Sequence, residues 1–170
     1  METKMEKKYE SLMNSSEKHT KEMGCEGAGP KIMLPMFVTV IITAIVSYIY
    51  WPLFSYPMMS MGTLPFGALL LVIGVPSWFL TVKTFARAFS SGQLATHGPY
   101  AIMPNPIYGI FMSLVIPGIS LVLNSWLILF TSVLGFVALR IFIHEEVNTL
   151  WKKFGTEYDE YRKRVLIKFL

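Results

Sequence analysis

Between Ile32 and Leu139 only two residues, Lys83 and Arg87, carry a formal charge. A water-soluble domain does not leave so long a run almost bare, because charged side chains solvate its surface. Lipid is therefore the solvent expected for the middle of this chain. A helix rises about 1.5 Å per residue, so about 20 residues cross a hydrocarbon core about 30 Å thick. Four apolar segments approach that length: 33–54, 64–82, 107–123 and 126–143. The fold class expected is all-α and integral to a membrane, with short amphipathic helices after the last span.

The charges that remain are informative by position. The N-terminal stretch, the connection from Lys83 to Asn105 and the stretch from Arg140 onward hold all 15 Lys and Arg. The connections around Ser60 and Asn124 hold none. This asymmetry predicts both termini on the cytoplasmic side. The net charge of +4 does not point to nucleic acid, because the cations flank apolar segments, where they meet lipid headgroups. Trp51, Tyr56, Trp78 and Trp126 are expected near the interfaces.

Residues 1–31 form a polar tail with six Lys and six Glu, read as loosely ordered, and 32–170 form the membrane domain. Cys25 is the one cysteine, so no intrachain disulfide is expected. An apolar segment that starts after a charged tail does not have the layout of a cleaved signal peptide. The helix over 64–82 is expected to continue through Phe89, with Ser90-Ser91-Gly92 ending it. Asn124-Ser125 is a tight link expected to cap the fourth helix. Gly155 is well placed as a C-cap, with Thr156 opening a further helix.

Two constellations could carry chemistry. The first is the connection over 93–109, which contains Leu94, His97, Gly98-Pro99-Tyr100 and Asn105-Pro106-Ile107-Tyr108-Gly109. Irregular backbone at membrane depth is tolerated where it is buried in protein or lines a cavity; a plain re-entry turn with Pro106 at the first helical position has the same spacing. The second is His144-Glu145-Glu146, where the fourth helix leaves the lipid. Such carboxylates either solvate a helix face or hold a cation or proton. No dinucleotide fingerprint, phosphate-binding loop or nucleophile elbow appears, and His19, His97 and His144 have no metal-ligand spacing.

Taken in order, these motifs resemble the isoprenylcysteine carboxyl methyltransferase and phospholipid N-methyltransferase family, small multi-spanning enzymes that use S-adenosylmethionine. Leu94, Gly98-Pro99-Tyr100, Pro106 and Tyr108 match its first part; Glu145-Glu146, Leu150, Phe154-Gly155, Tyr158 and Tyr161 match its second. The resemblance covers about residues 85–165. Pro104 and Asn105 stand where Arg and His are usual in the family. Measured back from Phe154, Glu146 falls on the first acid of the pair and Val147 on the second.

The resemblance implies a membrane methyltransferase with S-adenosylmethionine as cofactor and no metal. Its acceptor would be lipophilic or small: a lipid amine, a prenylcysteine-like carboxylate or a thiol. It implies Asn105, Tyr108 and Glu146 as catalytic groups. Leu94, His97, Gly98, Tyr100, Pro106 and Glu145 would join them around the cofactor. Glu145 or Glu146 could pair with the cofactor's ammonium or ribose. Tyr100 and Tyr108 could face its sulfonium, a contact worth about 0.5–2 kcal/mol. The alternative from another class is a non-catalytic membrane subunit or small transporter, which would place polar groups near the middle of its helices. Only Thr43, Ser47, Ser113 and Ser120 are candidates, and they suit helix packing equally well.

Overall fold

The computed structural model describes residues 28–56 and 63–168. The expected tail lies outside the described residues up to residue 27, as do Cys25, His19 and the part of the first uncharged connection over 57–62.

The described chain is helical without strands. Helix α1 is Ala28–Ile49 and the short α2 is Trp51–Phe54. Helix α3 is Thr63–Ser90. A 3-10 turn at Gly98–Ala101 leads to α4, Pro106–Ile110. A π turn at Phe111–Val115 joins α4 to α5, Ile116–Val122. Helix α6 is Trp126–Phe154 and α7 is Thr156–Arg164. Three stretches, Ile32–Ile49, Thr63–Ser90 and Trp126–Phe154, are long and apolar enough to cross a membrane, and Pro106–Val122 is a shorter apolar helix. At about 1.5 Å per residue, the 28 residues of α3 and 29 of α6 reach some 42 Å, well beyond a 30 Å core. Both helices therefore carry their last turns out of the lipid.

The outward faces are apolar. Leu34 is 67% exposed, Val72 70% and Ile141 62%, as suits side chains that meet acyl tails. Small and hydroxylic residues, among them Gly67, Gly118, Thr131 and Ser132, are buried between the helices beside large apolar ones, which lets the helices approach closely. Gly67 on α3 lies against α5 so tightly that a Cβ there would sit 2.7 Å from Leu121 Cβ and 3.1 Å from the Gly118 carbonyl and the Val122 nitrogen. Helix α1 packs on α6, and α5 on both α3 and α6. Met36, Met112, Ile116 and Ile128 form the centre of the core.

The π turn has an identifiable cause. The Ile116 N–H reaches the Phe111 carbonyl, five residues back. In that register the next bond would run from residue 117 to Met112, but Pro117 has no N–H. The Ser132 hydroxyl on α6 donates to the Met112 carbonyl instead, so α6 supplies the bond that α5 lacks.

The link at Asn124-Ser125 differs from the expectation. Ser125 occupies the N-cap position of α6 but its hydroxyl does not cap the helix. It lies 2.6 Å from the Ser47 hydroxyl on α1. Ser120 donates to the Ser125 carbonyl at 2.8 Å and lies 2.6 Å from the Tyr56 hydroxyl. A tertiary polar cluster competes here with local capping and wins. Trp78 on α3 faces inward. It packs on Phe37 and Phe111, with ring centroids 6.1 and 5.8 Å away.

Candidate functional site

Helix α3 ends in a backbone device that points the chain back toward the helices. Gly92 has φ +67°, its N–H bonds to the Phe89 carbonyl, and the Gln93 N–H bonds to Ala88. This double bond is a Schellman stop, and its left-handed position favours glycine. Residues 93–105 then run across the ends of α3 and α6 and re-enter at Pro106, whose missing N–H costs nothing at the first turn of a helix.

The connection is fastened by the C-terminal segment. The Tyr161 hydroxyl on α7 donates to the carbonyls of Tyr100 at 2.9 Å and Met103 at 3.5 Å. The Ile167 N–H bonds to the Ile102 carbonyl at 2.8 Å. Tyr158, Tyr161 and Val165 are buried against Leu94, Val147, Leu150 and Phe154, so this face of α7 packs on the protein. Burial pushes the Tyr161 phenol well above the ordinary tyrosine range, with neighbouring Tyr158 adding to it. Tyr161 therefore stays a proton donor through neutral and mildly alkaline pH.

A cavity of about 270 Å³ lies where the ends of α3, α6 and α7 meet the connection and the first turn of α4. It falls just below the usual range for ligand sites, about 300–1,000 Å³. Both constellations contribute to it. Leu94, Tyr100, Asn105, Tyr108 and Glu146 line it. The Tyr108 hydroxyl donates to Glu146 Oε2 at 3.2 Å, joining α4 to α6 across 38 residues of sequence. Tyr100 is nearly buried and stacks on Phe85, with centroids 6.4 Å apart and planes 24° apart. Burial raises the Tyr100 phenol far above its usual range, and the Glu146 carboxylate and Tyr161 add to the effect. Asn105 holds the N-cap position of α4 without capping it. Asn105 lines the cavity, and its amide makes no hydrogen bond among the described residues.

The other expected residues lie elsewhere. His97 and Gly98 are exposed and do not line the cavity. His97 Nδ1 lies 2.7 Å from the Thr96 hydroxyl. Pro106 is buried and sets the start of α4. Glu145 is exposed on the outer side of α6, where its carbonyl accepts from Thr149. Consecutive residues on a helix point about 100° apart, which is why Glu146 faces the cavity while Val147 faces α7.

Phe85 and Phe89 on α3 and Thr149 and Lys153 on α6 line the cavity without having been singled out by sequence, and Gln93 and Leu150, which belong to the motifs, line it without having been expected in the site. A signal for the α6 set existed. Residues 146, 149, 150 and 153 follow the spacing of one helix face. Among the described residues no group of three His, Cys, Asp or Glu side chains is placed to hold a metal ion.

A family model described as phospholipid methyltransferase matches residues 69–157, a stretch that starts within α3 and ends in the first turn of α7. No curated protein and no solved structure matches the chain significantly. The matched stretch contains the connection, the α4–α5 hairpin arm, and the face of α6 that carries Glu146.

Proposed function

Because this chain belongs to the phospholipid methyltransferase family, we propose that it transfers a methyl group from S-adenosylmethionine to a lipophilic acceptor at the bilayer surface. It is a membrane methyltransferase; the donor and the acceptor class are what the proposal adds. The observation that carries it is the meeting of Tyr100, Asn105, Tyr108 and Glu146 in one cavity at the end of apolar helices.

The donor set suits the cofactor. When bound, S-adenosylmethionine supplies a methyl group made electrophilic by a sulfonium. The Glu146 carboxylate offers the negative charge that a sulfonium or ammonium requires, and the Tyr108 hydroxyl holds that carboxylate in place. The faces of Tyr100 and Tyr108 add aromatic contact with positive charge. The Asn105 amide can donate and accept, as ribose, carboxylate or adenine groups need. Phe85, Leu94 and Leu150 make apolar walls that keep water out. Methyl transfer is an in-line displacement, so the protein's contribution is to hold the acceptor atom and the methyl carbon aligned in a dry site. Glu146 lines the cavity near the point where the charge pattern has α6 leave the lipid, which allows an acceptor to approach from the bilayer.

The purified chain should bind S-adenosylhomocysteine, with measurable heat and a rise in the midpoint of thermal unfolding. Saturation at a hundred times Kd would add about 2.7 kcal/mol to stability. No heat and no thermal shift with either the donor or this product would reject the reading.

The same reading places the cavity, and with it both termini, on the cytoplasmic side, because the cavity end of the helices is where the cations cluster. A cysteine at Leu123, which is 44% exposed in the uncharged link, should react with an impermeant reagent added from the opposite side. Reaction from the cytoplasmic side alone would overturn this orientation.

A further inference from the structure

Two formal charges line the cavity among the described residues: Glu146 and Lys153. They sit seven residues apart on one face of α6, about 10 Å along its axis. Glu146 is half-buried and held by Tyr108; Lys153 is exposed at the outer turn, with its Nζ 5.0 Å from the centre of the Phe154 ring. No ion pair of Lys153 is formed among the described residues. The cavity is therefore polarised, with its anion inside and its cation at the mouth. Pro104, an uncharged residue, lines the same cavity, so the connection brings no cation of its own to the mouth.

We propose that Lys153 is the anion anchor of this cavity: its ammonium binds an anionic oxygen group of the ligand while Glu146 faces the ligand's positive charge. The inference rests on the methyltransferase reading and adds to it a ligand orientation and a residue that sets it. Two ligands carry the required group, the methyl donor through its carboxylate and a lipid acceptor through a phosphate. Phe154 supports the geometry, because its ring lies under the ammonium and restricts where the flexible side chain can reach. The three residues after Glu146 that share its face, Thr149, Leu150 and Lys153, then grade the wall from polar to apolar to cationic.

Calorimetry on the full chain in detergent separates the cases, using S-adenosylhomocysteine and methylthioadenosine, which lacks the amino-acid carboxylate. Loss of one charge-assisted hydrogen bond corresponds to about tenfold in affinity. If Lys153 holds the donor's carboxylate, Lys153→Ala and Lys153→Glu weaken S-adenosylhomocysteine binding by about that factor and leave methylthioadenosine unchanged, while Lys153→Arg retains both affinities. If it holds a phosphate, both nucleoside affinities stay at the wild-type level, and the KM for a phosphate-bearing lipid acceptor rises about tenfold in Lys153→Glu. Unchanged affinities together with an unchanged acceptor KM overturn the proposal, as does equal weakening of both nucleosides. Failure of the wild-type chain to bind S-adenosylhomocysteine is a different result, and overturns the methyltransferase reading together with this one.

Discussion

Replacing Glu146 with glutamine should lower methyl transfer by about a hundredfold, the scale seen when one preorganised electrostatic contact is removed from a dry site. The substitution keeps the shape of the side chain and a group that can still accept from Tyr108, so the fold is retained. What is lost is the negative charge. The donor carries a sulfonium and its product does not, so direct titration should show the variant losing more affinity for S-adenosylmethionine than for S-adenosylhomocysteine. Equal losses would instead assign the carboxylate to the ammonium that both share. Wild-type turnover in Glu146→Gln would remove this residue from the site.

Replacing Gly67 with valine should lower the midpoint of thermal unfolding in detergent by about 5–10 °C. Even a single Cβ at this position would approach backbone atoms of α5 to 3.1 Å, and backbone cannot rotate aside as a flexible side chain can. The helices must separate, and overpacking of this kind costs about 1–3 kcal/mol, which for a chain of this size corresponds to shifts of that order. The control lies on the same helix. Val72 is 70% exposed, so Val72→Leu, which adds a methylene facing detergent, should leave the midpoint where it is. Matching shifts in the two variants would show that α3 does not pack through Gly67.

Much of this architecture could be read from charge placement. The near absence of charge over a hundred residues specifies a membrane solvent, which admits helices or closed barrels, and continuous apolar runs near 20 residues select helices. The stop at Gly92 was legible because a glycine after a helix has a backbone meaning of its own. Contacts between distant segments were not. Pro117 is visible in the sequence, but nothing local says that the bond it cannot make will be replaced by Ser132. Ser125 looks like a cap because Ser before an apolar run usually is one; its engagement by Ser47, 78 residues away, decides otherwise.

The site shows the same division. The pair Glu145-Glu146 was recognisable as a feature, yet two adjacent acids point in different directions, and only the rotation of α6 against α4 decides which one meets Tyr108. Asn105 and Tyr108 drew attention because they sit in a proline-rich re-entry. Lys153 did not, although it repeats the Glu146 face at helical spacing, because a lysine near a helix C-terminus is also what the helix dipole favours. His97 and Gly98 illustrate the converse: the motif attracts attention, but the structure places them on the exposed side of the connection.

Helix α6 runs without interruption from Trp126 to Phe154, so the rod anchored in the hydrocarbon is also the wall that presents Glu146 and Lys153. A site carried on a loop can absorb an inserted or deleted residue by bulging. Here, one residue lost between Trp126 and Glu146 would swing everything beyond it by about 100°, putting Val147 and Phe154 where Glu146 and Lys153 stood. The length of that stretch therefore sets which face of α6 the cavity meets.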